Sequence, residues 1–398
     1  MARADDPSKG GPRRSGGWSG DRRHPIAKAM RNRTVREEFP AAGRATPRVW
    51  LVLSDKLGDN AQVRVLAEAL GWPFEVRRLS MKPEYVLGKP RFAASLHHLD
   101  RERSDPLEPP WPDLILTIGR RCAMAALWIR EQARGRPKIV LVGRPKRGLE
   151  AFDLIVAPPQ FRMPEAANVV PLALPLMRAD PAKVEAAAAV WRERLAAMPR
   201  PLTAVLVGGA TKPFRFDREV AFALIAGLEA MSARDGGSLY VTTSRRTPAE
   251  VVAALEARLP AGSAFHAWRP EGGENPYFGL LACADRFVVT GDSVSMMVEV
   301  ARLGRPLAIY DLPLAGDPLV RLRHRLGRAL SGGGAAGRIG EILQKRGLVG
   351  IARDLRGFHH RLYAAGLAVP FGEPFRPPRE IVEEEVERIA ERVRRLVA

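Results

Sequence analysis

The stretch Thr203-Ala-Val-Leu-Val-Gly-Gly-Ala-Thr-Lys212 joins a short apolar run to two glycines and a lysine. An apolar run of this length that stops at glycine is typical of a strand buried on both faces, as in a parallel sheet. The same pattern recurs at Val288-Val-Thr-Gly-Asp-Ser-Val-Ser-Met296, where the run passes through glycine into a helical segment. Together the two stretches predict strand-to-helix turns of a parallel α/β fold.

Short apolar runs and amphipathic segments alternate outward from this stretch in two series. We therefore predict an α/β protein with two Rossmann-like parallel-sheet domains that face each other across a cleft. The predicted strands are 49–53, 113–118, 138–142, 154–156 and 168–172, then 203–207, 239–242, 265–268, 286–289 and 306–310. The predicted division is a disordered basic tail at 1–47, a first domain at 48–178, a linker helix at 179–202, a second domain at 203–378 and an amphipathic helix at 379–398.

Composition excludes several classes of protein. Hydrophobic residues make up 46% and charged residues 27% of the chain, which is ordinary for globular domains. No uninterrupted apolar run reaches the roughly 18 residues of a membrane-spanning helix, and no secretory signal is visible, so we expect a cytoplasmic protein. Two isolated cysteines and two adjacent histidine pairs lack ligand spacing, so we expect neither a disulfide nor a bound metal. These residues are Cys122, Cys283, His97, His98, His359 and His360.

The formal net charge of +19 is also typical of proteins that bind nucleic acid, because Lys and Arg neutralise its phosphates. The excess comes from 53 arginines and only 10 lysines, which are spread along the chain and accompany no RNA-binding or recognition-helix motif. We therefore expect no specific nucleic-acid partner. Two interpretations remain: a solubilising excess, or a basic face that holds the protein peripherally on the anionic inner surface of a membrane.

The two ends of the chain have distinct patterns. Residues 1–47 are rich in Gly, Arg, Ser and Pro and cannot bury enough apolar area to become ordered, so we expect a mobile tail or a basic tether. Residues 379–398 predict a charged helix with one apolar stripe, made up of Val382, Val386, Ile389, Val393 and Leu396. Such a stripe is typical of a helix that packs on its own protein, and a partner helix or a membrane surface is the alternative.

The turn after the first quoted run predicts a phosphate site. Gly208 and Gly209 let backbone N–H groups approach an anion, and Thr211 and Lys212 add a hydroxyl and a positive charge. The spacing matches neither the Walker A motif nor G-x-G-x-x-G, which argues against an ATPase and against an ordinary dinucleotide enzyme. A tight strand-to-helix turn is the alternative explanation for the two glycines.

The second quoted run leads into a helix N-terminus, where free N–H groups and the helix dipole attract phosphate. We expect the nucleotide to meet this first turn at Asp292, Ser293, Ser295 and Met296. Glu299 lies about one and two-thirds turns beyond Ser293, which lets it reach ribose hydroxyls. Helix capping by Ser293 and a solvated Glu299 are the alternatives.

Polar residues at other strand ends complete the predicted cleft. In the second half they are Thr243, Ser244, Arg245 and Arg246, at a position where open α/β sheets bind ligands. Arginine can bind a phosphate through two parallel hydrogen bonds, and a polar helix cap is the alternative. In the first half the equivalent positions, which we expect to hold a second substrate, are Gly58, Asn60, Gln62, Arg120 and Arg121.

Taken in order, these motifs resemble the mitochondrial fission Elm family, which is widespread in alphaproteobacteria and present in plants. The resemblance covers roughly residues 48–328. It is carried by Gly58-Asp-Asn-Ala-Gln62, Pro112-Asp113 with Gly119-Arg-Arg121, Phe152-Asp-Leu-Ile-Val-Ala-Pro-Pro159, Gly208-Gly209 with Lys212, Thr242-Thr-Ser-Arg-Arg-Thr-Pro248, Asn275-Pro-Tyr-Phe278, Thr290 with Asp292-Ser-Val-Ser-Met296, and Gly304-Arg-Pro306. It implies a GT-B-like glycosyltransferase fold, with the donor nucleotide on the second domain and the acceptor in the cleft. By similarity to lipid-linked sugar transferases, it also assigns the ribose to Glu299 and the diphosphate to Gly208 and Gly209.

The predicted function is nucleotide-sugar binding, with transfer of the sugar to a lipid-linked or other envelope acceptor at the cytoplasmic face of the membrane. The nucleotide sugar is the substrate, and we expect no separate cofactor. Lys212 or Arg245 would offset the charge of the leaving group, and Asp59 is the one candidate for a general base, with helix capping as its alternative. The resemblance also implies a second class of function, a non-catalytic adaptor, because plant members are associated with recruiting a dynamin-like protein to mitochondria.

Overall fold

The structure is a computed structural model of the chain. It describes residues 46–54, 57–87, 90–145, 148–270, 272–316, 353–381 and 384–398, together with 322, 326, 338–340 and 342–343. For residues 57–59 and 86–87 only the backbone is described. The predicted tail at 1–47 therefore lies, up to residue 45, outside the described residues.

One parallel sheet organises the first half of the chain. The elements are, in chain order, β1 (Val49–Leu53), α1 (Leu57–Leu70), β2 (Phe74–Arg78), β3 (Ser80–Met81), α2 (Pro83–Leu87), β4 (Leu99–Asp100), β5 (Leu114–Ile118), α3 (Gly119–Gln132), β6 (Lys138–Val142), a 3-10 turn (Leu149–Ala151), β7 (Leu154–Ala157) and β8 (Val169–Pro171). Six of the strands pair in parallel in the order β2-β1-β5-β6-β7-β8. Strands β3 and β4 form a separate antiparallel ladder.

The central strands of this sheet are almost wholly apolar because both of its faces are covered, and the buried Thr117 of β5 donates its hydroxyl to the carbonyl of Val52. All five residues of β1 are buried. Successive side chains of a strand point to opposite faces, so Leu51 packs in the cluster that contains Leu66 of α1, and Trp50 packs in the cluster that contains Ala126 of α3. This double burial explains why the run at β1 was predictable as a strand.

The second half contains a matching sheet. Its elements are, in chain order, α4 (Pro181–Arg194), β9 (Leu202–Val207), α5 (Arg218–Asp235), β10 (Ser238–Thr243), α6 (Ala249–Arg258), β11 (Ala264–His266), α7 (Tyr277–Cys283), β12 (Arg286–Thr290), α8 (Val294–Arg302), β13 (Leu307–Tyr310), α9 (Leu355–Ala364), β14 (Val369–Pro370) and α10 (Glu384–Val397). All neighbouring strands are parallel, in the order β11-β10-β9-β12-β13-β14. The predicted α/β class, with two parallel-sheet domains, is confirmed.

The order of the second sheet reverses between β9 and β12. The chain moves from β9 outward to β10 and β11, and then returns to place β12 on the other side of β9. In open α/β sheets, ligands bind in the crevice at the carboxyl ends of the strands where such a reversal occurs. Gly208 follows β9 and Gly291 follows β12, so the fold brings the two motifs of the sequence analysis side by side at this crevice.

The C-terminal helix α10 returns to the first domain. Its apolar stripe is buried there at Val386, Ile389 and Val393, in the cluster that also contains residues of α1. Arg394 donates hydrogen bonds to the backbone carbonyls of Ala69 and Leu70 at the end of α1. The stripe therefore packs on the protein's own first domain.

The predicted linker helix corresponds to α4, which packs on α7 of the second domain. Trp191 of α4 lies so close to α7 that a Cβ atom added at Gly279 would be 2.1 Å from its ring. The linker is thus part of the second core rather than a free connection. None of the helices in the described residues is both long enough and apolar enough to cross a membrane.

Candidate functional site

The turns after β9 and β12 are hydrogen-bonded into one unit. The backbone N–H of Gly208 donates to Thr290 Oγ1 at 2.8 Å, and that of Gly209 donates to Asp292 Oδ2 at 2.8 Å. The Thr290 hydroxyl in turn donates to Asp292 Oδ1 at 2.8 Å. The two phosphate-site motifs predicted from the sequence therefore share a single buried network.

This network gives the two glycines a steric role. A Cβ atom at position 208 would lie 2.4 Å from Asp292 Oδ1, and one at position 209 would lie 2.3 Å from the carbonyl oxygen of Arg246. The sequence analysis expected the N–H groups of Gly208 and Gly209 to face a phosphate. In the structure both donate to side chains of the same domain, so close packing, rather than open backbone donors, accounts for these glycines.

Asp292 is the buried charge at the centre of this unit. Only 4% of its surface is exposed. Burial raises the pKa of Asp292, and the hydrogen bonds from Gly209 and Thr290 offset part of that rise. Arg246 lies beside it, with Nη2 3.9 Å from Asp292 Oδ2 and Nη1 3.2 Å from the hydroxyl of Thr211. Arg246 thus joins the predicted third motif to the first two.

The hydroxyl groups of the third motif hold the loops in place. The Thr247 hydroxyl donates to the carbonyl of Gly208 and accepts the backbone N–H of Ser244 at 2.9 Å. Thr243 Oγ1 accepts the backbone N–H of Trp268 at 2.9 Å. Thr243 and Ser244, which the sequence analysis expected to bind nucleotide, therefore also connect three neighbouring loops.

Three basic side chains stand at the carboxyl edge of the second sheet. Lys212, Arg245 and Arg246 are all exposed. In the part of the chain that the structure describes, Lys212 and Arg245 form no ion pair. This edge therefore carries positive charge that is available to an anionic ligand.

The first turn of α8 faces the same crevice. Ser293 is its N-cap and is almost fully buried, but no side chain in the described part of the chain caps the helix. The first N–H groups of a helix have no partner inside it, and here they follow directly from Asp292. The turn from Ser293 to Met296 thus keeps the donors and the dipole that the sequence analysis expected to attract phosphate.

Glu299 lies further along α8 and has a partner that the sequence analysis did not name. The Tyr277 hydroxyl donates to Glu299 Oε2 at 2.5 Å. Burial raises the pKa of Glu299, partly offset by this hydrogen bond, and burial together with the Glu299 charge raises that of Tyr277 well above its ordinary value. Within the described residues, Oε1 of Glu299 accepts no hydrogen bond and can accept one from a ligand.

A cavity of about 450 Å³ opens beyond the end of β11. It is lined by Glu256, Phe265, His266, Ala267, Trp268, Arg269, Gly272, Gly273 and Asn275. Asn275 Oδ1 accepts the backbone N–H of Tyr277 at 3.0 Å, so the cavity adjoins the Tyr277–Glu299 pair. No role was predicted for this cavity from the sequence. The signal that could have indicated it is the pair of aromatic residues Phe265 and Trp268 in the predicted strand 265–268.

The predicted acceptor residues of α1 lie at the corresponding edge of the first sheet. Asn60 Nδ2 donates to the carbonyl of Ser54 at 2.7 Å, which ties the start of α1 to the end of β1. Asn60 Oδ1 and Gln62 Oε1 are buried and have no hydrogen-bond partner among the described residues. Only the backbone of Gly58 and Asp59 is described. The roles of both residues therefore stay predictions.

Arg120, at the start of α3, points away toward a neighbouring loop. Its Nη2 donates to the carbonyl of Pro90, and its guanidinium carbon lies 5.9 Å from the centroid of the Phe92 ring. Burial and the charge of Arg121 lower the pKa of Arg120. The carbonyl of Arg121 accepts a hydrogen bond from His98 Nε2 at 3.0 Å. The structure thus brings Arg120 to Phe92, whereas Asn60 stays with β1.

His359 supports the β12 turn from behind. It is buried on α9, with Nε2 2.7 Å from the carbonyl oxygen of Gly291 and Nδ1 2.6 Å from Asp311 Oδ1. Burial opposes ionisation of Asp311, but the hydrogen bond and charge of His359 lower its pKa below the ordinary value. From the sequence, His359 was weighed only as a metal ligand and set aside. Its observed partners lie 48 and 68 residues away, so no local pattern could reveal them.

Several solved structures resemble this chain along most of its length. The UDP-GlcNAc 2-epimerase of Methanocaldococcus jannaschii, in complex with UDP-GlcNAc and UDP, matches 87% of this chain and 99% of its own, with a TM-score of 0.45 and 9% identity. MurG of Acinetobacter baumannii matches 88% and 92%, with a TM-score of 0.40 and 13% identity. UGT89C1 of Arabidopsis thaliana, complexed with UDP, matches 88% and 99%, with a TM-score of 0.39 and 13% identity.

Sequence comparison identifies relatives more directly. The mitochondrial fission protein ELM1 of Arabidopsis thaliana is 30% identical over 224 residues, which cover 51% of this chain and 52% of the plant protein, so the match spans about half of each. An uncharacterized protein of Rickettsia prowazekii (strain Madrid E) is 24% identical over 300 residues, or 67% of this chain and 83% of that protein. The sequence profile described as Mitochondrial fission ELM1 matches residues 58–329. The chain therefore belongs to the mitochondrial fission ELM1 family.

Proposed function

We propose that the second domain binds a nucleotide sugar and that the protein is a glycosyltransferase. The observation that carries this proposal is the first turn of α8, which has no side-chain cap among the described residues and lies where the strand order reverses. Beside it are three exposed basic side chains, the half-buried carboxylate of Glu299 and the aromatic-lined cavity beyond β11. A nucleoside diphosphate needs donors for its phosphates, an acceptor for its ribose hydroxyls and a cavity for its base. All three kinds of group lie along one edge of the sheet.

The phosphates are assigned to the first turn of α8. The N–H groups of Val294, Ser295 and Met296 would donate to the diphosphate, whereas that of Ser293 already donates to the carbonyl of Thr290. Lys212, Arg245 and Arg246 would offset the charge of the diphosphate. This assignment replaces the backbone cradle at Gly208 and Gly209, because those N–H groups are engaged with Thr290 and Asp292. The glycines then act indirectly, by letting β9 and the β12 turn approach each other.

The ribose is assigned to Glu299 and the base to the cavity at the end of β11. Glu299 lies six residues beyond Ser293, about 9 Å along the helix axis, which suits a ribose next to a diphosphate. Tyr277 holds one carboxylate oxygen, which fixes the orientation of the other. Phe265 and Trp268 offer aromatic faces for a base.

In the proposed reaction an acceptor oxygen forms a bond to the anomeric carbon of the sugar. The bond from that carbon to the diphosphate oxygen breaks, the nucleoside diphosphate leaves with the electron pair, and the acceptor's proton passes to a base. The donors on α8 and the cations beside it would stabilise the leaving group as its charge develops. Asp59 remains the proposed base, and the net charge of +19 supports an acceptor at the cytoplasmic face of a membrane.

The first test is thermal stabilisation of the purified chain by UDP-, GDP-, ADP-, CDP- and dTDP-sugars. A ligand at about a hundred times its Kd stabilises the folded state by about 2.7 kcal/mol, which shifts the melting temperature by roughly 5–10 °C for a domain of this size. We expect a shift with one base, which Glu299→Ala and Glu299→Gln greatly reduce. The matched control is Glu229→Ala, which removes an exposed helical glutamate of α5 and should leave the shift unchanged.

The alternative is a non-catalytic adaptor that recruits a dynamin-like or envelope partner. The name of the Arabidopsis relative, a mitochondrial fission protein, supports this role. The two functions differ in their dependence on nucleotide. No stabilisation by any nucleotide sugar would refute the donor site and favour the adaptor, whereas a selective shift that Glu299→Gln abolishes would favour the transferase.

A further inference from the structure

Two arginines from different domains flank one aromatic ring at the carboxyl edge of the first sheet. Arg144 lies two residues beyond β6 and Phe161 lies four residues beyond β7, whereas Arg353 precedes α9 of the second domain. The guanidinium carbons of Arg144 and Arg353 lie 6.0 Å and 5.4 Å from the centroid of the Phe161 ring. The three side chains therefore meet where the two domains meet.

Arg144 brings a largely buried positive charge into this junction. Its Nε and Nη1 atoms are shut off from solvent and form no hydrogen bond within the described parts of the chain. Burial lowers the pKa of Arg144, and the nearby charge of Arg353 lowers it further. Buried donors and charges are costly when they are unpaired, so these atoms are open to a partner that no described residue supplies.

The carboxylate closest in sequence to Arg353 is already engaged. Arg162 Nε donates to Asp354 Oδ2 at 2.7 Å, and the backbone N–H of Gly357 donates to Asp354 Oδ1 at 3.0 Å. The backbone N–H of Asp354 donates to the carbonyl of Gln160 at 2.9 Å, which joins the two domains at the same place. Three guanidinium groups thus accompany this one carboxylate, and the junction carries an excess of positive charge.

Gln160 adds a second unpartnered group. Its side chain is 6% exposed, and its Oε1 is buried without a hydrogen-bond partner among the described residues. The amide can present its oxygen to a hydroxyl or, after a flip, its NH₂ group to an oxyanion. A polar side chain this deeply buried is normally satisfied, so Gln160 also indicates a ligand at this junction.

A similar arrangement elsewhere shows what an ordinary stack looks like. Arg218 and Arg258 flank Phe222, with guanidinium carbons 5.3 Å and 4.4 Å from the ring centroid. Both of these arginines are exposed, so water satisfies their N–H groups. Stacking two arginines on one ring is therefore not in itself a sign of a ligand; the loss of solvent around Arg144 is the distinguishing feature.

We propose that Arg144, Arg353 and Gln160 form an oxyanion site that takes a phosphate group of the second substrate. This inference rests on the proposed transferase function and gives the acceptor a chemical class, a phosphate or diphosphate that is either free or attached to a lipid. Two guanidinium groups offer several N–H donors in the planar geometry that phosphate oxygens accept, and their two positive charges match a dianion.

The oxyanion site and the donor turn are connected by α9. Asp354 and His359 are five residues apart, about 8 Å along the helix axis. Asp354 joins the loop of Gln160, and His359 holds the carbonyl of Gly291 at the donor turn. An acceptor anchored through its phosphate beside Arg353 would therefore be held about one and a half turns of α9 from the residue that supports the donor turn.

The test is calorimetry on the full chain, saturated where possible with the nucleotide sugar that the stabilisation panel identifies. Inorganic pyrophosphate is the free probe and geranyl diphosphate is the lipid-linked probe. We expect Arg144→Gln to raise the Kd for both probes at least tenfold and Arg353→Gln to raise it several-fold. The matched control is Arg258→Gln, which disrupts the exposed stack and should leave both Kd values unchanged.

Each outcome decides the proposal. Unchanged Kd values in both Arg144→Gln and Arg353→Gln would overturn it. It would also be overturned if Arg144→Gln weakened nucleotide-sugar binding as much as probe binding, because Arg144 would then serve the donor. If Arg144→Gln does not fold, the exposed Arg353→Gln carries the test. Arg144-dependent binding of pyrophosphate without any nucleotide-sugar binding would support the oxyanion site and refute only the donor site. If geranyl diphosphate binds more tightly than pyrophosphate and both depend on Arg144, the phosphate belongs to a lipid-linked acceptor. If the two probes bind equally, the phosphate belongs to a free acceptor.

Discussion

Thr290 joins the two turns of the candidate donor site, so Thr290→Val is the most direct test of their arrangement. Valine keeps the shape of threonine and removes only the hydroxyl. In the structure that hydroxyl accepts the N–H of Gly208 and donates to Asp292, each at 2.8 Å. Thr290 has no exposed surface, so water cannot replace either bond without a local rearrangement.

The magnitude follows from these two bonds. A buried N–H without an acceptor costs about 1–3 kcal/mol, and a hydrogen bond to a charged group contributes about 1.5–3 kcal/mol. We therefore expect Thr290→Val to lower the free energy of unfolding of the second domain by about 3 kcal/mol. For a domain of this size, the melting temperature should fall by roughly 6–12 °C.

The loss should also depend on pH. Burial raises the pKa of Asp292 in the folded state, and the Thr290 hydroxyl lowers it, so the variant raises that pKa further. A folded-state pKa above the unfolded value means that the folded chain binds more protons. Stability is then greatest below the unfolded pKa and falls as the pH rises through the folded pKa. The difference between parent and variant should therefore be larger at pH 7 than at pH 4.

The assay is chemical denaturation followed by circular dichroism at both pH values. Thr211→Val is the control. Among the described residues the Thr211 hydroxyl bonds only to the exposed Arg246, so its loss should change stability by less than about 0.5 kcal/mol. A Thr290→Val variant as stable as the control would refute the network. An equal loss at both pH values would refute the role of the Asp292 charge.

Three further changes probe other contacts. Gly209→Ala should cost about 1–3 kcal/mol, because its Cβ would lie 2.3 Å from the Arg246 carbonyl oxygen; an unchanged melting temperature would contradict this. His98→Leu should flatten the acid dependence of stability. Burial lowers the pKa of His98 from 6.5 to about 4, so the parent loses on the order of 3 kcal/mol as the pH falls through that window, and parallel pH profiles of the two proteins would argue against it. Ile389→Ala should cost about 2–5 kcal/mol in a denaturation experiment, because Ile389 is fully buried in the first domain; a cost below 1 kcal/mol would mean that α10 does not pack there.

The strands were predictable from the sequence where both faces are buried. At β1, β9 and β12 every residue is buried, so each run is mostly apolar, and its polar residues, Thr203, Arg286 and Thr290, lie at or near the strand ends. The edge strand β2 was missed, because its sequence Phe-Glu-Val-Arg-Arg is only partly buried and alternates apolar with charged residues. The two-residue strand β14 (Val369–Pro370) was missed because so short a run carries no period.

The site was predictable at the level of strand ends and not at the level of atoms. Glycines, hydroxyls and cations at the carboxyl ends of strands indicate a ligand wherever the sheet is parallel. Which donors stay open depends on contacts between distant residues. Gly208 and Thr290 are 82 residues apart, and Tyr277 and Glu299 are 22 apart, so no local pattern could show that these groups are engaged.

The residues that distinguish a substrate-binding protein from a scaffold are the buried charged groups. Exposed cations such as Lys212 and Arg245 cost little stability, and a scaffold that needs solubility would carry them as readily as an enzyme. Arg144 and Glu299 differ, because burial shifts the pKa of each, and Arg144 also keeps two buried nitrogens that no described residue satisfies. A chain used only as a scaffold would gain stability by replacing such groups with apolar ones of similar shape. One such group beside each of the two parallel sheets is what the proposed donor and the proposed anionic acceptor would require.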